Sequence, residues 1–325
     1  MVASAAQLRQ IAVVDIPGRP GFESIVWAEG KLVMSHPGAD RVDVFDPVKR
    51  RIVTQIEGMK DPRGIAVDGA ASKVYIATAG ANAIAVVDAK TWQLTNTISL
   101  SAQPSALLLV PGGLLYVTNL HGTSVLIVDP VKGGEVARVD MGGTPEQLAW
   151  DPQQHGVFVS MQDRATVALI GSDNQVSKRY QLTAWQPTGL ALDARQRRLF
   201  VAVRYAVLVV NADTGAEIAR IPAAAGTDSL WFDESNGTLY AADSGGVVNM
   251  IRTDNNQFIS EHELRTEVRG HTIAFDPEKK MVYLPGGSEG RSKLVILRRV
   301  EAPAGAPATS AKQAVVPQPT VAEKH

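Results

Sequence analysis

The sequence predicts an all-β fold, a seven-bladed β-propeller of four-stranded antiparallel blades closed by the N-terminal strand, and two observations carry that expectation. A turn residue, a short apolar strand ending in Asp and a second strand built around Tyr or Phe recur seven times, with the turn at Phe22, Pro62, Pro104, Pro145, Pro187, Thr227 and Gly270. Successive separations are 40, 42, 41, 42, 40 and 43 residues, and a period in the forties made of short strands marks propeller blades. The second observation is a mismatch at the ends: the seventh repeat has three strands, and a stray fourth-strand pattern precedes the first.

That stray segment, Gln10-Ile-Ala-Val-Val-Asp-Ile followed by Pro17-Gly18, reads like the outer strand Glu135-Val-Ala-Arg-Val-Asp-Met with its Gly142-Gly143. Completing the last blade with it would remove the open edges that sheets otherwise present. Innermost strands follow the turn residues, as in Pro62-Arg-Gly-Ile-Ala-Val-Asp, Pro145-Glu-Gln-Leu-Ala-Trp-Asp, Pro187-Thr-Gly-Leu-Ala-Leu-Asp and His271-Thr-Ile-Ala-Phe-Asp-Pro. They are apolar because both faces are buried. Second strands such as Lys73-Val-Tyr-Ile-Ala, Arg198-Leu-Phe-Val-Ala and Met281-Val-Tyr-Leu-Pro are rich in the aromatic and β-branched residues that suit a pleated surface. Third strands (83–87, 124–128, 207–210) end in Asp88, Asp129 or Asn211, whose short side chains bond their own backbone to start a turn. Fourth strands run outward as in Gly134-Glu-Val-Ala-Arg-Val and Ala216-Glu-Ile-Ala-Arg-Ile. In the seventh repeat, residues 293–297 form the third strand and a fourth is missing, which assigns 8–300 to the propeller, 1–7 to a flexible N-terminus and 301–325 to a disordered Pro/Ala-rich tail.

Within this frame Tyr116-Val117-Thr118-Asn119 spells a tetrapeptide, and the chain over roughly 8–300 resembles the YVTN-type β-propeller repeat family. The resemblance implies the seven-bladed fold. Its superfamily includes binding scaffolds, lactonase-like and lyase-like enzymes and domains fused to redox modules, with no shared catalytic motif to carry over.

Composition narrows the classes. With 32 basic and 33 acidic residues, no global field draws the protein to nucleic acid or anionic lipid. Cysteine is absent, which excludes disulfides, thiolate catalysis and Cys-zinc sites. No apolar run reaches the roughly eighteen residues of a membrane helix. The opening Met1-Val-Ala-Ser-Ala-Ala-Gln resembles the small-residue region around a signal cleavage site, so a periplasmic or secreted protein is expected. A closed ring leaves few strand edges, and a monomer is expected.

In a four-stranded meander the start of each first strand and the end of each second strand share one rim. The residues after the turn positions, Glu23, Arg63, Ser105, Glu146, Thr188, Asp228 and His271, place one polar side chain per blade around that mouth. Second-strand ends and adjoining loops add His36, Asn119, His121, Arg164, Arg204 and Asp243. A polar mouth above apolar strands is what a ligand-facing site requires, although such residues can also serve only to solvate a wet channel. Ring closure is expected to bring Glu23, His36, Asp228, Asp243 and His271 into one sector. There, candidates Glu23, His36, Asp243 and His271 could hold a divalent metal ion, or His36, Asp228, Asp243 and His271 could act as acid and base. Arg63, Arg164 and Arg204 present donor forks suited to a ligand carboxylate or phosphate, with pairing to Glu146 or Asp163 the favoured alternative. His155 and His262 read as surface residues, Trp27, Trp150 and Trp231 as core, and Gly112-Gly113, Gly245-Gly246 and Gly286-Gly287 as hairpin glycines.

The leading function is a non-enzymatic scaffold binding a protein or small-molecule ligand at the mouth. The alternative is a lactonase-like hydrolase or a lyase using a His/carboxylate site there, with or without a divalent metal. A third reading tethers the propeller to a redox or envelope assembly.

Overall fold

The computed structural model describes residues 6–254, 257–301 and the backbone of 312–313. The expectations for 1–5 and for the rest of the tail, His325 included, lie outside the described residues. Seven antiparallel sheets follow one another along the chain: blade 1 spans 25–57, blade 2 62–99, blade 3 104–140, blade 4 145–181, blade 5 190–222 and blade 6 227–265. Blade 7 combines Ala274–Asp276, Met281–Ser288 and Arg291–Glu301 with the N-terminal strand Ala6–Ile16. The short strand Lys312–Gln313 pairs with the outer edge of blade 6.

Closure is therefore N-terminal, as the end mismatch implies. The register runs from Ala6 opposite Glu301 to Ile16 opposite Ser292, with one irregularity between Gln10 and Ala12. Ala6 and Gln7, expected in a flexible leader, already pair with Glu301 and Val300. Apolar positions hold the closing strand inward: Ala6 and Leu8 pack with Tyr240, Met250 and Val295, and Ile16 packs with Leu32, Phe45 and Ile296. The Leu8 amide donates to His262 Nδ1 at 3.3 Å, so His262 is a partly buried inter-blade acceptor where a surface residue was expected.

Two local devices shape the mouth. Irregular pairing recurs just after the turn residue, between Pro62 and Ile65, Pro104 and Leu107, Pro145 and Leu148, and Thr227 and Ser229. Such bulges free the residue behind the turn from the ladder and re-aim it; Arg63, Ser105, Glu146 and Asp228 all occupy that position. Adjacent first strands also approach closely. A Cβ on Gly64 would lie 2.5 Å from the Ser105 carbonyl oxygen, and one on Gly189 would lie 2.1 Å from that of Asp228. Only glycine fits there.

The opposite face is built from side-chain-capped turns. Asp46, Asp88, Asp129 and Asn211 each accept backbone N–H groups two and three residues on at 2.7–3.0 Å, the reason each strand closes on Asp or Asn. Gly112, Gly113 and Gly246 have positive φ, as hairpin glycines should. Gly286 and Gly287 instead lie within the strand Met281–Ser288, where a Cβ on Gly286 would meet the Arg269 carbonyl at 2.2 Å.

Candidate functional site

At the mouth of the channel the residues that follow the turns converge on a cavity of about 460 Å³ whose lining includes Glu23, Arg63, Ser105, Glu146, Asp228 and His271. Six of the seven ring positions read from the repeat thus share one cavity. The remaining position, Thr188 at the entry to blade 5, is not in the lining: its hydroxyl turns aside to donate to the Thr227 carbonyl at 3.1 Å, and Gly189 lines the cavity there.

Blades 6, 7, 1 and 2 carry a continuous ion-pair ladder. His271 Nδ1 lies 2.7 Å from Asp228 Oδ2 and its Nε2 lies 3.3 Å from Glu23 Oε2. Arg63 donates to Glu23 Oε1 at 2.5 Å and to Asp61 Oδ2 at 3.2 Å. The hydrogen bond to Asp228, joined by Glu23 and opposed by burial, pushes the His271 imidazole up to about 10. It is a cation at neutral pH, with both N–H groups donating. Burial acts to raise Glu23, but contact with His271 and the charge of Arg63 hold it below the ordinary carboxylate range.

Glu146, across the channel on blade 4, has no such partner: among the described residues its carboxylate accepts no hydrogen bond and meets no cation in an ion pair. Burial first, then the charges of Asp228 and Glu23, push it up to about 7. The expected pairing of Arg63 with Glu146 is corrected: Arg63 is taken by Glu23 and Asp61.

His36 and Asp243 do not join the site. His36 is fully buried beneath the loop that leaves the closing strand, with Nδ1 2.7 Å from Asp43, Nε2 2.6 Å from the Arg19 carbonyl and the ring stacked on Phe22. Ser292 donates to the Gly18 carbonyl at 3.1 Å beside it. The residue pins the seam of the ring. Asp243 caps its own hairpin, accepting from Gly245 N at 2.7 Å and Val247 N at 3.1 Å. Of the four metal candidates only Glu23 and His271 meet, and among the described residues no group of three or more His, Asp or Glu is placed to hold a metal ion. Asn119, His121, Arg164 and Arg204 stand outside the cavity lining. Arg164 pairs with Asp163 at 3.6 Å, and Arg204 covers the exposed Tyr205 ring.

The sequence reading missed Trp231. The repeat pattern predicts a core residue there, whereas Trp231 is 37% exposed and lines the cavity with Ile65, Leu107, Leu190 and Leu230. The bulge between Thr227 and Ser229 sets Ser229 and Trp231 on one face of the strand, since a one-residue shift flips every following side chain. Trp27 keeps its core role, its indole donating to the Phe275 carbonyl at 3.0 Å.

The fold and mouth define a seven-bladed β-propeller with an ionic channel entrance. No protein-family model matches the chain. It is similar to a seven-bladed beta-propeller protein of Mycobacterium tuberculosis, Rv1057, at 31% identity over 143 residues, 41% of this chain. The match spans 36% of that relative's length. Among solved structures, a chain of Kuenenia stuttgartiensis hydrazine synthase superposes with a TM-score of 0.78, covering 89% of this chain and 98% of that one at 14% identity. This likeness is one of fold. No helix among the described residues is long and apolar enough to cross a membrane.

Proposed function

We propose that this chain is a non-enzymatic binding propeller of the YVTN-type repeat group, exported to the periplasm or beyond, that takes a ligand or partner at the mouth of its channel. The observation that carries this reading is the convergence of six repeat-equivalent polar residues on a single concave space of about 460 Å³, lined also by Leu107, Leu190 and Trp231, since ligand sites set convergent polar groups in a cleft. Its charged groups are chiefly spent on each other. His271, bonded on both ring nitrogens and charged at neutral pH, is no general base, and the ladder reads as a rigid recognition surface.

The test is a thermal-shift panel of cationic, anionic and neutral small molecules on the wild type and on Ser105→Trp, which fills the mouth. A compound that stabilises only the unfilled protein supports the reading. Equal shifts in both proteins across the panel would overturn it.

The hydrolase or lyase reading draws on one specific observation, the unpaired Glu146 with a proton affinity near neutrality, the range in which a general acid or base works. Lactone turnover by the wild type that Glu146→Gln abolishes would favour this reading over the scaffold.

A further inference from the structure

Charge in the mouth is unevenly satisfied. The ladder through blades 6, 7, 1 and 2 alternates sign, so Asp228, His271, Glu23 and Arg63 cancel as a set. In the other half, Ser105 and Glu146 are left with free polar groups: the Glu146 carboxylate and the Ser105 hydroxyl have no hydrogen-bond partner among the described residues. The second oxygen of Asp228 is likewise unbonded, because His271 uses only Oδ2. The cavity therefore holds one carboxylate without a bonded partner, felt only at a distance by Arg63 and His271, and two further acceptors with no donor assigned to them. Leu107, Leu190 and the exposed Trp231 line the same cavity.

An anion entering this space would meet Glu146 and Asp228 and find the only two cations of the ring already engaged. A divalent metal would need three closely set ligands, which the described residues do not bring together. A planar guanidinium could fork onto the two free Glu146 oxygens, but its donors lie in one plane, whereas the three acceptor groups come from blades 3, 4 and 6. A primary ammonium has three donors that diverge, and an indole wall favours a nearby cation and its methylenes.

We propose that the mouth binds a primary ammonium carried on a short apolar stem, with Glu146 as its counter-ion, Asp228 and Ser105 as further acceptors, and the stem against Leu107, Leu190 and Trp231. This rests on the reading of the mouth as a ligand site and names the ligand's chemistry. The same head group is found on free alkylamines and on lysine side chains. Bringing a cation to Glu146 stabilises its carboxylate form, so binding releases a proton near pH 7 and tightens as pH rises from 6 to 8.

The experiment is titration calorimetry with n-pentylamine, Nα-acetyl-lysine methylamide, 1-pentanol and pentanoate, each in two buffers of different ionisation enthalpy. The expected result is that one or both amines bind at least about tenfold more tightly than the alcohol and the acid, with proton release, since an ionic contact in a sheltered site is worth one to two powers of ten. Glu146→Gln, a near-isosteric change, loses that preference and the proton release. Which amine binds tells a free ligand from a protein-borne lysine. Tighter binding of pentanoate or pentanol, blocked by Ser105→Trp, would overturn the amine assignment while leaving the mouth a ligand site. Binding by none of the four probes, or amine binding that survives Glu146→Gln with its proton release, would also overturn it, and the filled-mouth panel would then decide separately whether any ligand enters.

Discussion

At the scale of single residues, the mouth turns on His271. Its imidazole ordinarily titrates near 6.5 and is raised to about 10 by Asp228 and Glu23. A raised folded-state value means that its contribution to stability is complete below pH 6.5 and is lost as pH climbs through about 10. His271→Gln is expected to cost about 1–2 kcal/mol at pH 7, reduced from the full conversion because the side chain is partly exposed. The deficit should disappear above pH 10. Imidazole NMR checks the premise directly: a His271 resonance that titrates between pH 6 and 7 would refute the ladder. The ring itself was legible because each member stands one place after a repeat-aligned turn. His36 was not. Its place at the end of a second strand is readable, but the loop carrying the Arg19 carbonyl that covers it comes from elsewhere in the chain, and no local pattern announces such a cover.

At the scale of elements, the recurrent Asp at strand ends has a mechanical reason that differs between faces. On the face away from the mouth it caps turns, and in one place it also joins blades: Asp151, fully buried, accepts from Gln153 N at 2.9 Å and from both Arg197 terminal nitrogens at 2.9 and 2.6 Å. Arg197 continues to Asp213 at 2.7 Å. Burial alone would raise Asp151, but these donors hold it below the ordinary carboxylate range. Asp151→Ala leaves the guanidinium without its sheltered partner and removes a turn cap, so a loss of about 3 kcal/mol is expected by urea unfolding. A change under about 0.5 kcal/mol would mean the inter-blade bridge contributes little. Strand order and blade count were readable from spacing, since each blade repeats the same apolar phrase. Which way Trp231 faces was not, because one bulge reverses the alternation on which such a reading depends.

At the scale of the whole molecule, the ring holds together at a single seam in blade 7. The pairing of Ala6–Ile16 with Arg291–Glu301 is backed by apolar contacts to two neighbouring blades and by the His36, Gly18 and Ser292 lock. Deleting residues 1–16 should expose the edge of Arg291–Glu301 together with that packing, lowering Tm by more than about 10 °C and broadening the transition. An unchanged, equally sharp melt would show that closure is dispensable. The seam also dictates a timetable for the nascent polypeptide. Of the propeller's strands, the one made first is the last to find its partner, which follows some 295 residues later; at roughly 5–20 residues per second it waits about 15–60 s. For that interval Leu8, Val13 and Ile16 are sticky orphans, so any chaperone that escorts this protein should grip that strand until Arg291–Glu301 has emerged to receive it.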